Sequence, residues 1–143
     1  MFLLDTNVVS ELRKAKPHGA VRAWLQSVPE SALFVSAVTL GEIQRGIELT
    51  RDQDPDKAAQ ISLWADRLAR TQRVLPMDAP TFRVWARLMQ RQSDAPFEDA
   101  MIAATAQVHQ LTVVTRNTRD FTGFAVPLFN PFTSDPDVGT GSP

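Results

Sequence analysis

Four carboxylates, Asp5, Glu42, Asp99 and Asp120, stand far apart in the chain, yet each falls near the end of an apolar strand or on the inward part of an apolar helix. Such positions rarely hold an acid for packing reasons, because an unpaired buried charge is costly. A group of acids makes sense if a divalent metal ion occupies the space between them. The chemistry that cluster supports is metal-assisted hydrolysis of a phosphodiester, in which the ion acidifies a water and offsets charge on the phosphate.

Each acid also has a plain structural reading. Asp5 follows Phe2-Leu3-Leu4 and suits the cap of a helix just as well. Glu42 completes Thr39-Leu40-Gly41-Glu42, the pattern of a capping box, although Gly41 and Gly46 beside it suggest close approach. Asp99 is harder to explain away: it lies one turn before Ala103 and shares a face with Ile102 and Ala106 on the most apolar helix of the chain. Asp120 sits in the polar run Arg116-Asn117-Thr118-Arg119-Asp120, where an exposed Asp beside Arg119 is ordinary.

Strands and helices alternate around these acids. Short apolar strands are expected at Phe2–Leu4, Leu33–Ser36, Val74–Leu75, Leu111–Val114 and Phe124–Leu128. Amphipathic helices are expected through Val8, Val9 and Leu12; over Val21–Val28; over Thr39–Thr50; over Lys57–Arg70; and from Pro80 through Met89. The all-apolar run Ala100–Ala106 reads as a helix buried against a sheet. Residues 117–121 read as a turn. The pattern predicts an α/β fold with a mainly parallel sheet, whose sites form at the carboxyl ends of the strands.

The bulk properties narrow the function. A chain of 143 residues with 43% apolar content fits one domain with a substantial core. A net charge of −1 gives no global basic field, so RNA or DNA contacts must rest on local cations. The absence of cysteine excludes disulfides, thiolate metal sites and a Cys nucleophile. No signal peptide or membrane span is legible, and a cytoplasmic setting is expected. His18 and His109 have neither metal-ligand spacing nor a Ser or Cys partner. The Arg83, Arg87, Arg91 stripe reads as a solvated helix face, and Trp24, Trp64 and Trp85 as core or subunit-interface residues. The segment from Ser134 onward, rich in Asp, Pro, Gly, Thr and Ser, reads as a disordered tail (133–143) after a folded domain at 1–132.

Taken together, four segments resemble the PIN-domain family, in particular VapC-type toxins of the FitB-like branch. They are Phe2-Leu3-Leu4-Asp5-Thr6-Asn7-Val8-Val9-Ser10-Glu11, then Val35-Ser36-Ala37-Val38-Thr39-Leu40-Gly41-Glu42-Ile43. Glu98-Asp99-Ala100-Met101-Ile102-Ala103-Ala104-Thr105-Ala106 and Val114-Thr115-Arg116-Asn117-Thr118-Arg119-Asp120-Phe121 follow in the same order, closed by Phe129-Asn130-Pro131-Phe132. The resemblance implies a three-layer α/β/α sandwich and a Mg²⁺-dependent endoribonuclease, with Mn²⁺ as a substitute. It also implies a toxin of a type II toxin–antitoxin pair, a homodimer inhibited by an antitoxin, which reaches operator DNA only through that antitoxin. Asp5, Glu42 and Asp99 match the family's first three acids, with Asp5 and Asp99 expected to hold the metal. Asp120 and Asn117 remain joint candidates for the fourth position. Thr6, Asn7, Ser36 and Thr115 are expected pocket polar groups, and Arg13, Lys14, Lys16 and Arg116 expected RNA contacts.

The rival reading is a catalytically weak binding module that keeps the fold and acts through its antitoxin and operator complex. A phosphoacceptor domain fits poorly, because the first strand supplies Asp5 alone and Arg116, not Lys, follows the late strand. On burial logic, neutralising Asp5 or Asp99 is expected to leave the protein at least as stable.

Overall fold

The computed structural model describes residues 1–133, and the part of the expected tail from Ser134 onward lies outside them. Five strands, β1 (Phe2–Leu4), β2 (Leu33–Ser36), β3 (Arg73–Leu75), β4 (Thr112–Val114) and β5 (Leu128–Phe129), form one sheet in the order β3-β2-β1-β4-β5. Every pairing is parallel: β1 runs beside β2 with Leu4 opposite Val35, and beside β4 with Leu4 opposite Val114.

Because side chains alternate along a strand, Phe2 and Leu4 face one layer and Leu3 the other. On the first side they pack with Val8, Val9, Val21, Trp24, Ile43, Ile47, Ala58 and Leu68. These come from α1 (Thr6–Glu11), α2 (Gly19–Ser27), α3 (Ala37–Arg51) and α4 (Pro55–Thr71). On the second side Leu3 and Val113 meet Leu88 of α5 (Ala79–Arg91) and the Ala100–Ala106 face of α6 (Phe97–His109). The three-layer α/β/α sandwich is therefore as expected. Within α6 the small Ala100, Ala103, Ala104 and Ala106 are all buried, which lets the helix lie close on the sheet.

The chain winds outward from β1 through β2 to β3, then returns to place β4 on the other side of β1. That reversal opens a crevice between the carboxyl ends of β1 and β4, the usual site position in open parallel sheets. Asp5 and Thr115 are the residues leaving those two ends, and the Asp5 N–H donates to the Val114 carbonyl at 2.9 Å.

Two expectations need correction near the C-terminus. Residues Thr118–Phe124 form a 3-10 helix rather than a simple turn, held by the fully buried rings of Phe121 and Phe124. The last strand is Leu128–Phe129, not Phe124–Leu128. Ala125 adopts a left-handed backbone (φ 54°), and Gln107 Nε2 donates to the Phe124 carbonyl at 2.7 Å, so the chain turns where the apolar pattern suggested extension. Trp24 lies in the core with Phe2 edge-on at 5.0 Å, and Trp64 packs partly buried against the same core. Trp85 packs edge-on with the exposed rings of Phe82 and Phe97. No helix among the described residues is long and apolar enough to cross a membrane.

Candidate active site

Asp5 caps α1 and is only 6% exposed. Its Oδ1 accepts the Thr6 N–H at 2.8 Å, while Oδ2 accepts the Thr115 hydroxyl at 2.8 Å and Asn7 Nδ2 at 3.2 Å. With two lone pairs per oxygen, Oδ2 is saturated and Oδ1 keeps one free position. The capping and functional readings of Asp5 are thus both true of one side chain.

A small polar network surrounds it. Asn7 Nδ2 also reaches Thr115 Oγ1 at 3.3 Å, and Asn7 Oδ1 accepts the Arg116 N–H at 3.1 Å. The Thr115 hydroxyl in turn accepts the Asn117 N–H at 3.0 Å. Thr115 is fully buried, so these bonds fix the start of the 116–120 segment against α1.

Glu42 is not a capping-box residue. The cap of α3 is Ser36, whose Oγ accepts the Val38 N–H at 3.1 Å, so the helix begins two residues before Thr39 and Glu42 lies in its second turn. Ser36 is accordingly a buried helix cap and not an open pocket group. The Glu42 Oε1 accepts the Thr6 hydroxyl at 2.8 Å, with Thr39 Oγ1 at 3.1 Å behind that hydroxyl. Thr6 therefore ties the acid of α3 to the helix that Asp5 caps.

Asp99 stands half-buried in the first turn of α6, and Asp120 lies exposed in the 3-10 helix. Their electrostatics show what the topology has gathered. Burial pushes the Asp99 carboxyl up to about 6, with the charges of Asp5, Asp120, Glu42 and Glu98 adding to the rise. Burial likewise raises Asp5, helped by Asp120 and opposed by the hydrogen bonds from Thr115, Thr6 and Asn7. Glu42 is raised by burial and by Asp5 and Glu98, against the bond from Thr6. Asp5, Glu42 and Asp120 are thus all brought within electrostatic reach of Asp99. Asn117 contributes a backbone N–H to the network, whereas Asp120 contributes charge.

Glu98 adjoins Asp99 in the first turn of the same helix, a neighbour whose position carries no sequence signal beyond that adjacency. It lines an open groove of about 660 Å³ with Glu42, Gly41, Arg45, Leu49 and Met101. Glu11 ends α1, where its place in the sequence suggests an exposed acid. It is a buried acid whose Oε1 accepts the His18 N–H at 2.8 Å and whose Oε2 pairs with Lys14. That pairing holds the Glu11 carboxyl below the usual range. Lys14 is exposed, like Arg13 and Lys16, but of the three it alone is ion-paired, through Glu11, to the loop before α2.

Among the described residues no three acid or histidine side chains form a ready-made metal cage. The arrangement still fits a hard cation. Neither ion pair among the described residues, Lys14–Glu11 or Arg51–Glu48, involves Asp5, Glu42, Asp99 or Asp120, so no salt bridge among them offsets their mutual repulsion. The donors are all oxygens, and Mg²⁺ keeps several waters and takes few direct protein ligands.

Residues 2–126 match the sequence profile of the PIN domain. The chain is 34% identical over 137 residues to Toxin FitB of Neisseria gonorrhoeae, a match covering 92% of this chain and 99% of that protein. It is 36% identical to VapC ribonuclease Y4jK of Sinorhizobium fredii, covering 92% and 98%. The fold superposes on FitAcB from Neisseria gonorrhoeae with a TM-score of 0.78 at 33% identity, covering 94% of this chain and 100% of that one. A TM-score of 0.78 also relates it, at 31% identity and 94% and 98% coverage, to FitAB bound to a DNA fragment.

Proposed function

The chain belongs to the PIN-domain family, and from that premise we propose that it is a Mg²⁺-dependent endoribonuclease, the toxin of a toxin–antitoxin pair. The observation that carries this reading is the convergence of Glu42, Asp5 and Asp120 on Asp99, none of the four being in an ion pair among the described residues. PIN-family ribonucleases are generally metal-dependent. Asp5 and Asp99 would hold the ion, Asp5 through the free lone pair of Oδ1, and Glu42 and Asp120 would complete the pocket. When bound, the ion supplies Lewis acidity, lowering the pKa of a coordinated water and offsetting charge on the phosphate.

The chain's own residues do the positioning. Thr115 and Asn7 fix the orientation of the Asp5 carboxylate, and Thr6 holds Glu42 toward it. Glu42, whose carboxyl is raised by burial, would orient a water or accept its proton, and Asp120 would add a second acid to the pocket. Asp5 and Thr115 leave the carboxyl ends of β1 and β4, and Glu42, Asp99 and Asp120 stand on helices rather than on free loops, which keeps the geometry fixed. The protein is expected to pair with an antitoxin and to meet operator DNA only through it, in line with its likeness to FitAcB and to FitAB bound to DNA, and to form a homodimer.

The test is cleavage of end-labelled RNA by the purified chain. Activity is expected to vanish in EDTA and return with Mg²⁺ or Mn²⁺, leaving 5′-phosphate and 3′-hydroxyl ends. Products ending only in 2′,3′-cyclic phosphate would reject hydrolysis by an activated water, and RNA binding without turnover would favour the binding-module reading.

A further inference from the structure

Arg116 is exposed, yet it is pinned at three points. Its N–H donates to Asn7 Oδ1 at 3.1 Å, its carbonyl accepts Asn130 Nδ2 at 3.3 Å, and its guanidinium lies over the Phe132 ring, 4.5 Å from the centroid. Phe132 is itself held, by its N–H to Asn130 Oδ1 at 2.9 Å and by the His18 ring edge-on at 5.2 Å. A surface arginine gains little fold stability from such anchoring, because exposed charges contribute little and ordering the long side chain costs entropy. The anchoring does remove that entropy cost in advance for a ligand.

The ligand's chemistry is legible beside it. Residues 116–120 line a shallow cavity of about 350 Å³. Arg116 and Arg119 bring guanidinium groups with no carboxylate partner among the described residues, Thr118 a hydroxyl and Asn117 an amide. Asp120 is the cavity's sole acid and borders the acid cluster, where its charge acts on Asp5 and Asp99. Donors of this kind suit a phosphodiester oxygen, and planar guanidinium groups grip phosphate through paired N–H donors. We propose that this cavity is a subsite for a non-scissile RNA phosphate adjoining the acid cluster, with Arg116 as its pre-positioned gripping residue.

The inference rests on the ribonuclease reading and is separable from it. Binding of a fluorescently labelled single-stranded RNA is measured across a salt series, in full-length protein carrying Asp99→Asn so that nothing is cut. Adding Arg116→Ala is expected to weaken binding about tenfold and to lower the salt slope by about one. Arg116→Lys is expected to recover only part of this, since lysine keeps the charge but not the planar stack on Phe132. Phe132→Leu is expected to fall between, and both Arg116 substitutions made with Asp99 intact are expected to leave Tm and Mn²⁺ affinity unchanged. Unchanged RNA affinity in Arg116→Ala overturns the subsite while leaving the ribonuclease reading intact, provided that the wild-type chain cleaves RNA. Loss of affinity matched by loss of Tm or of Mn²⁺ binding also overturns it, by assigning Arg116 a purely structural part. So does an Arg116→Ala variant that loses binding to a polyglutamate peptide but not to RNA. A wild-type chain that neither binds nor cuts RNA removes both readings.

Discussion

Asp99→Asn is expected to lower metal-dependent RNA cleavage by about a thousandfold or more while making the protein more stable at pH 7.5. The two effects have one cause. The Asp99 carboxyl is pushed up to about 6 by burial and by the charges of Asp5, Asp120, Glu42 and Glu98, against 3.8 for a free side chain. A carboxyl raised in the folded state binds its proton more tightly there than in the unfolded chain. Stability therefore rises as pH falls through about 6 toward 3.8, and the full penalty is present above 6. Asparagine removes that penalty at neutral pH. Because Asp99 is only half-buried, solvent screening reduces the gain to about 1 kcal/mol, or roughly 3 °C in Tm.

Melting curves in EDTA between pH 5 and 8 check this. The wild-type Tm is expected to climb on acidification and that of Asp99→Asn to stay flatter, so that the gap between them narrows from pH 8 to pH 5 and would close only near 3.8. Millimolar Mg²⁺ is expected to raise the wild-type Tm at pH 7.5 by binding the folded state, and to do so far less for the variant. A variant that melts lower than wild type at pH 7.5, or that cuts RNA within tenfold of it, removes Asp99 from the proposed site.

Asp5→Asn is expected to abolish cleavage equally but to cost stability, about 1–2 kcal/mol. Burial logic applied to the sequence treats Asp5 and Asp99 alike, and the structure separates them. Asp5 accepts three donors, from Thr6, Asn7 and Thr115, and carries the cap of α1. An amide in its place offers one oxygen and turns an NH₂ toward groups that are themselves donors. Asp99 accepts no hydrogen bond from a described residue, so its neutralisation leaves nothing unpaired. A double-mutant cycle of Asp5→Asn with Thr115→Val is expected to show coupling above about 0.5 kcal/mol, because both substitutions dismantle one network. Additive effects, or an Asp5→Asn variant as stable as Asp99→Asn, contradict the role given to Thr115.

The difference between these two acids illustrates what could be read without coordinates. The α/β class, most elements and the candidacy of Asp5, Glu42 and Asp99 follow from local features: apolar runs of strand length, helical spacing, and acids at places where burial penalises them. The 118–124 region resisted that reading. Its apolar residues Phe121 and Phe124 fit a strand or a turn equally, and Ala125 in a left-handed conformation carries no sequence signal of the kind glycine gives. Glu42 could not be separated from a capping-box acid until Ser36 proved to be the cap, which moved the helix start and turned Glu42 toward Thr6.

Sequence by itself therefore determined the kinds of group available: oxygen ligands without thiolates, strands short enough for a buried parallel sheet, and no global basic field. Tertiary structure decided which of those groups act together. The reversal of strand order at β1 brings Thr115 against Asp5 across 110 positions, while the pairing of β1 with β2 brings Thr6 against Glu42 across 36. The fold also pairs Lys14 with Glu11 and fastens Arg116 in place. Local patterns encode burial and periodicity, whereas pairing between distant residues is fixed only once the crossovers have set the strand order.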